Sequence, residues 1–418
     1  MRNKVSTVCR ALTLSILAVL TTGAGAQSEK VIHSFINFGG ADGNFPLAGL
    51  VSDAKGNLYG TASQGGSGTC YGCGIVFELS PGSGGTWTES ILYTFEGPPG
   101  GDGSYPASAL VFDGKGNLYG TTQFGGTSSA GTIFELTPGS GGTWTEKILY
   151  SFAGGSAGSY PGYSALAIDS SGNLYGTTSG GGTTNPTGSS TEFGNVFELV
   201  SGSNGTWTPE VLYNFKGEAD GGNPFASTLA IDKAGNLYGV ASALGAHDNG
   251  VVFKLTKGSN GSWSEKVLYA FPGGTGVSGP TGNLVFDTSG NIYGTAANIV
   301  FELVAGSNGT YTEKTLHTFT GGSDGQNVGG GLAVDKSGNL YGTTNVGGSH
   351  RGTVFELTPG SGGTWTEKIL HRFPPSPSTE DGIFPGYATL LLDATGNIYG
   401  TTLESLPDLG GVVFEITP

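Results

Sequence analysis

Short apolar runs and clusters of turn residues alternate along this chain in a unit that returns seven times. In the copy over residues 108–152, Ala109-Leu110-Val111-Phe112 is a short apolar run closed by Asp113-Gly114-Lys115-Gly116. Asp first and Gly fourth suit a type I turn: the carboxylate accepts a backbone N–H two residues on, and glycine takes positive φ without steric cost. Asn117-Leu118-Tyr119-Gly120-Thr121-Thr122 returns as a second strand. After a variable loop, Thr132-Ile133-Phe134-Glu135-Leu136-Thr137 makes a third. Pro138-Gly139-Ser140-Gly141-Gly142 then turns the chain into the fourth and longest, which ends at Phe152. Period-2 alternation predicts that Trp144, Ile148, Tyr150 and Phe152 share one face of it.

The signature D-x-x-G-N-[LI]-Y-G begins at Asp53, Asp113, Asp169, Asp232, Asp287, Asp335 and Asp393. Third-strand phenylalanines follow at Phe77, Phe134, Phe197, Phe253, Phe301, Phe355 and Phe414, but only six T-W-T-E-K-x-L-Y-x-F-like runs come after them. The seventh such run stands at the other end of the chain, from Ser28 to Phe35. A circularly displaced piece implies a closed ring. The expected fold is all-β: a seven-bladed β-propeller of four-stranded antiparallel blades, the last blade closed by the N-terminal strand. Such closure removes the free sheet edges that an open array would expose. All five tryptophans (Trp87, Trp144, Trp207, Trp263 and Trp365), with Tyr311 as sixth, fall at one position of the fourth strand, where packing between blades is expected.

The recurring G-N-L-Y-G-T-T, G-x-V-F-E-L and T-W-T-E-K-x-L-Y-x-F segments closely resemble the GloVer tandem repeats of exported bacterial proteins, over essentially all of residues 28–418. The resemblance implies export and a propeller-like repeat, with no established activity. Such proteins often carry a C-terminal surface anchor; none is expected here, where the chain stops at Thr417-Pro418. The D-x-x-G-N-x-Y hairpin is also similar to NHL-type and streptogramin-lyase-like propellers, but a hairpin turn carries no chemistry across.

Composition adds the compartment and narrows the partners. Arg2, Lys4 and Arg10, the apolar stretch Ala11–Leu20 and Ala24-Gly25-Ala26 read as an export signal over 1–26, leaving 27–418 as a single propeller domain. The stretch falls short of the ~20 residues a bilayer span needs, so no transmembrane segment is expected after its removal. The expected location is periplasmic, secreted or cell-surface, and the expected state a monomer. Loss of the three leader cations takes the formal charge from −15 to −18. That excludes nucleic acid, whose phosphates need a basic patch, and favours cations or neutral polymers. In an exported chain, Cys70 and Cys73 of C-Y-G-C predict a local disulfide; a zinc site would need further ligands, and a redox pair a helix terminus.

Strand alternation decides which loops share a face. Loops from the fourth strand to the next blade lie with the second-to-third loops, and the D-x-x-G-N and P-G-S-G-G turns lie opposite. The first face carries nearly all the variation, and function is expected there. Asp42, Asp102, Asp220, Asp324 and Asp381 precede its inner strands, with Ala157 and Gly276 replacing the acid in two blades. These aspartates either ring the mouth, where Ca²⁺ or a polar ligand would bind, or act as turn formers before glycine. Phe45, Tyr105, Tyr160 and Phe384 stand before prolines, expected either as stacking surfaces for a neutral glycan or as rings buried between blades. His247 and the His350-Arg351 pair are the loop residues a hydrolase or lyase would use; His33, His317 and His371 replace a fourth-strand Tyr and read as structural. Blade five, with Ala296-Ala297-Asn298 in place of a long loop, predicts a notch in the rim. The leading expectation is a binding scaffold for a glycan, an envelope component or an extracellular protein, with no cofactor beyond Ca²⁺. The alternatives are a lyase or hydrolase acting on an extracellular polymer or small molecule, and a structural surface repeat.

Overall fold

The computed structural model describes residues 28–35, 41–67, 72–98, 101–182, 192–273, 279–347, 351–374, 382–385, 388–405 and 410–417. The leader and residues Cys70, Gly276, His350 and Asp381 lie outside them. Seven antiparallel sheets stand round a ring. Blade one is Val51–Ser52, Leu58–Ala62, Ile75–Pro81 and Trp87–Thr94, paired in that order. Blades two to six repeat the order, and a short strand, Gln326–Val328, is added to blade six. Blade seven is Leu391–Leu392, Ile398–Thr402 and Val412–Thr417, and its outer strand is Ser28–Ser34, paired from Ser28 opposite Thr417 to Ser34 opposite Val412 with a bulge at Ile32. The ring therefore closes by hydrogen bonds between the two ends of the chain.

Each blade buries both faces against its neighbours. Seven apolar clusters, one for each pair of adjacent blades, make up the core of the described residues. At every seam the last Phe of one fourth strand meets the third-strand Phe of the next blade. Phe95 lies 5.1 Å from Phe134, and Phe35 closes the circle 5.1 Å from Phe77. Each such pair contributes about 0.5–1.5 kcal/mol beyond its buried area. The final Gly of N-L-Y-G is what admits this Phe: a Cβ on Gly120 would come within 2.5 Å of Phe134 Cζ, and the other six copies are as tight. Tryptophans clamp neighbouring blades, as at Tyr119–Trp207 (6.0 Å) and Tyr293–Trp365 (6.0 Å).

One expectation is corrected. The pairing of the fourth strand slips between Ile133/Tyr150 and Phe134/Ile148, leaving Leu149 as an extra residue. Adjacent residues of the third strand face opposite ways, so this bulge turns Tyr150 and Phe152 away from the face of Trp144 and Ile148. Trp144 and Ile148 pack toward blade one, Tyr150 and Phe152 toward blade three. One strand thus serves two seams.

Candidate functional site

The loop-rich face is built on a repeated backbone device. In six blades the residue before the inner-strand proline, or before Val328, has positive φ: Phe45 at 56°, Tyr105 at 62°, Tyr160 at 58°, Asn223 at 52°, Asn327 at 59° and Phe384 at 59°. For an L-residue this conformation costs roughly 1–2 kcal/mol. Hydrogen bonds hold it in place. Tyr160 N–H donates to Ala130 O of the preceding blade (2.8 Å), while Tyr160 O accepts from Ser179 N of its own blade (3.2 Å). Tyr105 is clamped in the same way between Cys73 O (2.9 Å) and Gln123 N (3.0 Å), and Phe384 between Arg351 O (2.9 Å) and Leu403 N (3.0 Å). The clamp stitches each second-to-third loop to the entry of the next blade. It also fixes where each clamped side chain starts.

Four aromatic positions named from the sequence therefore sit on rigid, strained backbone, and two of them come together. Tyr105 lies 6.0 Å from Phe124, and Phe124 lies 5.7 Å from Tyr160, both edge to face. Phe124 is 41% exposed and Tyr160 40%, so the three rings form an open ledge across blades two and three. A second pair, Tyr163 and Phe225, stands 4.5 Å apart between blades three and four. Phe384 carries the Arg351 guanidinium 5.6 Å above its ring. The sequence reading missed Phe124, Tyr163 and Phe225, because their meeting depends on which loops the ring makes neighbours.

The notch in blade five is present: Ile292–Ala296 and Ile299–Ala305 are joined by two residues only. A cavity of about 220 Å³ opens over it, lined by Phe225, Thr281, Ala297, Asn327 and Asn345 among others. At the axis, Leu47, Ala107, Tyr163, Thr228, Asn283 and Thr389 help to line a second cavity of about 200 Å³. Its lining includes none of Asp42, Asp102, Asp220 and Asp324.

Those aspartates stand instead at the outer strands. Asp102 accepts from Tyr93 Oη (2.9 Å), Glu96 N (2.8 Å), Gly97 N (2.8 Å) and Gly103 N (2.9 Å). Asp220 accepts from Tyr213 Oη (2.7 Å), Lys216 N and Glu218 N. Asp324 accepts from Thr320 N and Oγ1 and stands 3.9 Å from His317 Nε2. Of the two sequence readings, a ring round the mouth or turn formers, these three match the second: each is drawn to the N–H groups of its own loop and to the Tyr or His of the preceding strand. Asp42 faces His33 and Glu89, and Asp381 lies outside the described residues. His247 is exposed beside Asp248. Cys73 is disulfide-bonded, and Cys70 lies outside the described residues.

Carboxylates of the outer strands carry the clearest electrostatic strain. Burial, with the charge of Asp102 beside it, pushes Glu146 up to about 7, and burial with Asp220 does the same to Glu265. On the opposite face, Asp113 is pulled upward by burial, but N–H bonds from Asn117 and Lys115 outweigh this and leave it below the ordinary carboxylate value.

Comparison with known proteins agrees with this architecture. The model of the Gloeobacter/Verrucomicrobia repeat matches residues 24–187 and again 163–302. No curated protein matches the chain. Among solved structures, virginiamycin B lyase from Staphylococcus aureus superposes with a TM-score of 0.53 at 13% identity, covering 94% of this chain and 100% of that one. A protein of unknown function from Dyadobacter fermentans gives a TM-score of 0.41 at 10% identity, over 81% of this chain and 97% of its own. At 13% identity the likeness to the lyase is one of fold.

Proposed function

This chain belongs to the Gloeobacter/Verrucomicrobia repeat family, and from that premise we propose that it is an exported scaffold that binds a neutral polysaccharide on its loop-rich face. The observation that carries the reading is the Tyr105–Phe124–Tyr160 ledge, aromatic rings left open to solvent on backbone that is held strained by two hydrogen bonds per clamp. Exposed large aromatic surface on an otherwise polar face marks a binding site more often than chance. Flat rings offer the apolar C–H face of a sugar a broad contact, while the hydroxyls of Tyr105 and Tyr160 remain free to bond outward. The formal charge, −15 for the whole chain and −18 without the three leader cations, repels acidic polymers and leaves uncharged ones as the fitting partners. Beyond the ledge, Tyr163–Phe225 and the blade-five notch extend the same face, so an extended chain of sugars suits it better than a single ring.

A lyase or hydrolase would need a base, an acid and a charge stabiliser converging on one cleft. On the described loop-rich face His247 and Arg351 belong to different blades, and Arg351 is taken up over Phe384. Affinity electrophoresis against neutral and uronic-acid polysaccharides, with reducing-end release assayed in parallel, tests the proposal. Retention by a neutral polymer, weakened at least tenfold in a Phe124→Ala/Tyr160→Ala double variant and without fragment release, is expected. Equal retention of the double variant, or retention by acidic polymers alone, would overturn it.

A further inference from the structure

Outer-strand seams repeat one polar arrangement, and at the closing seam it changes chemistry. Between blades one and two, Tyr93 from one fourth strand, Asp102 from the following loop and Glu146 from the next fourth strand meet, and the tyrosine hydroxyl donates to Asp102 at 2.9 Å. Between blades three and four, Tyr213, Asp220 and Glu265 do the same, with a 2.7 Å bond. Between blades seven and one the tyrosine is replaced by His33. His33, Asp42 and Glu89 offer one nitrogen and two carboxylate oxygens, all within 4.8 Å of one another. His33 Nε2 stands 3.7 Å from Glu89 Oε1. Both of these atoms are buried and have no hydrogen-bond partner. At 3.7 Å the two are too far apart to hydrogen-bond each other, and an ion between them would satisfy both.

We propose that His33, Asp42 and Glu89 form a binding site for a divalent first-row cation, Zn²⁺ foremost, that pins the N-terminal strand to blade one. One imidazole and two carboxylates, with water in the fourth place, make a donor set that zinc accepts, and two ligands about 2.0–2.1 Å from a tetrahedral zinc stand about 3.3 Å apart. The 3.7 Å separation needs only a small adjustment to reach this. Location gives the site a purpose. His33 lies on Ser28–Ser34, which joins blade seven only through hydrogen bonds, and Glu89 lies on the outer strand of blade one. A cation there ties the one non-covalent strand of the ring to a neighbour on its other side.

His317 with Asp324 and Glu367 supplies an internal control. There His317 Nε2 and Glu367 Oε1 are likewise buried without a hydrogen-bond partner, and His317 Nε2 is 3.9 Å from Asp324, but among the described residues only the His33 set brings three ligand atoms within 4.8 Å of one another, so the expected stoichiometry is one ion per chain. The test uses chelator-stripped full chain, calorimetric titration with ZnCl₂ and thermal melting with and without the metal. One Zn²⁺ should bind, and Tm should rise by about 3 °C at free metal a hundredfold above Kd. His33→Tyr, which installs the residue that the equivalent seams use, should keep the fold and lose both effects. Glu89→Gln should weaken binding at least tenfold, and His317→Tyr should leave it unchanged. Absence of heat and of a Tm shift in the wild type, or a His33→Tyr variant that binds with the same stoichiometry, would overturn the assignment. The outcome is independent of glycan binding, which rests on other residues.

Discussion

The two faces of the ring use the same residue types to opposite ends. On the turn face, Asp and Tyr close on each other inside one blade, and the tyrosine hydroxyl of all seven D-x-x-G-N-x-Y turns donates to its aspartate at 3.1–3.3 Å. Asp Oδ1 takes two backbone N–H groups in every copy, as Asp113 does from Lys115 and Asn117. In five blades the tyrosine also reaches the third-strand glutamate. On the loop face the corresponding positions diverge: His33 and His317 stand for Tyr, Ala157 stands for Asp, and the clamped residue is Phe, Tyr or Asn. The turn face must be uniform because each copy satisfies its own buried polar groups. The loop face receives many of its backbone bonds from the clamp, so the identity of the clamped side chain is free to vary from blade to blade.

The largest effect should come from removing what joins both faces. Deleting Ser28–Phe35 leaves the edge of Val412–Thr417 unpaired and removes Phe35 from its contact with Phe77. An open edge of that kind templates association. Loss of the cooperative melting transition, or oligomers in size-exclusion chromatography, is expected; a monomer with unchanged Tm would contradict the ring closure. Next in size is Gly120→Val, which drives a side chain into Phe134 and should cost about 1–3 kcal/mol or more in denaturant unfolding. Gly114→Ala, with open space around its Cβ, is the matched control and should cost far less.

Much of this was legible in the sequence, for a physical reason. Strand alternation and Asp/Asn/Gly turns are short-range chemistry, so the seven copies and the displaced strand announce the ring. The bulge at Leu149 left no mark, because a bulge residue keeps an ordinary side chain and is defined by the partner strand. The ledge was half legible. Tyr105 and Tyr160 stand out before prolines, but Phe124 joins them only because the second-to-third loop of blade two lies against the entry of blade three. For Asp102 the sequence left two readings open, mouth or turn, because spacing does not say that Tyr93, nine residues earlier, would take it outward. Across the third and fourth strands of blade five Lys314 stands 3.7 Å from Glu302. Yet Lys147, Lys266 and Lys314 also donate to glycine carbonyls in the turn of the next blade, a contact that exists only once neighbouring blades pack.

A pH series separates the faces at intermediate cost. Glu89, Glu146 and Glu265 have folded pKa values pushed up to about 7 from 4.5 by burial and by the neighbouring aspartate. A raised carboxylate binds its proton more tightly when folded, so stability should increase as pH falls from about 8 to about 5. Asp113, Asp232, Asp335 and Asp393 on the turn face are depressed by their N–H bonds, which outweigh burial. Their contribution is present above the ordinary value and is lost as pH falls through the folded pKa, so stability should drop again below about pH 4. Melting curves across pH should therefore peak in mild acid. Glu146→Gln should flatten the alkaline limb and leave the acid limb in place; Asp113→Asn should do the reverse.

The smallest expected effect on stability is the sharpest test of the comparison. Tyr160 holds φ at 58° and its ring is 40% exposed. Tyr160→Gly relieves a left-handed strain of about 1–2 kcal/mol, loses a ring pair with Phe124 of about 0.5–1.5 kcal/mol and adds backbone freedom to the unfolded chain of about 0.5–1 kcal/mol. These nearly cancel, so unfolding free energy should stay within about 1 kcal/mol of the wild type, while retention by a neutral polysaccharide falls at least tenfold. Tyr160→Phe keeps the ring and the strain, and should keep most of the binding. If the tyrosine were there to hold the blades together, Tyr160→Gly would melt early and binding would fail only in proportion to unfolding. A cooperative, wild-type melt from a variant that no longer binds would mean that the strain at this position is maintained for the ligand rather than for the fold.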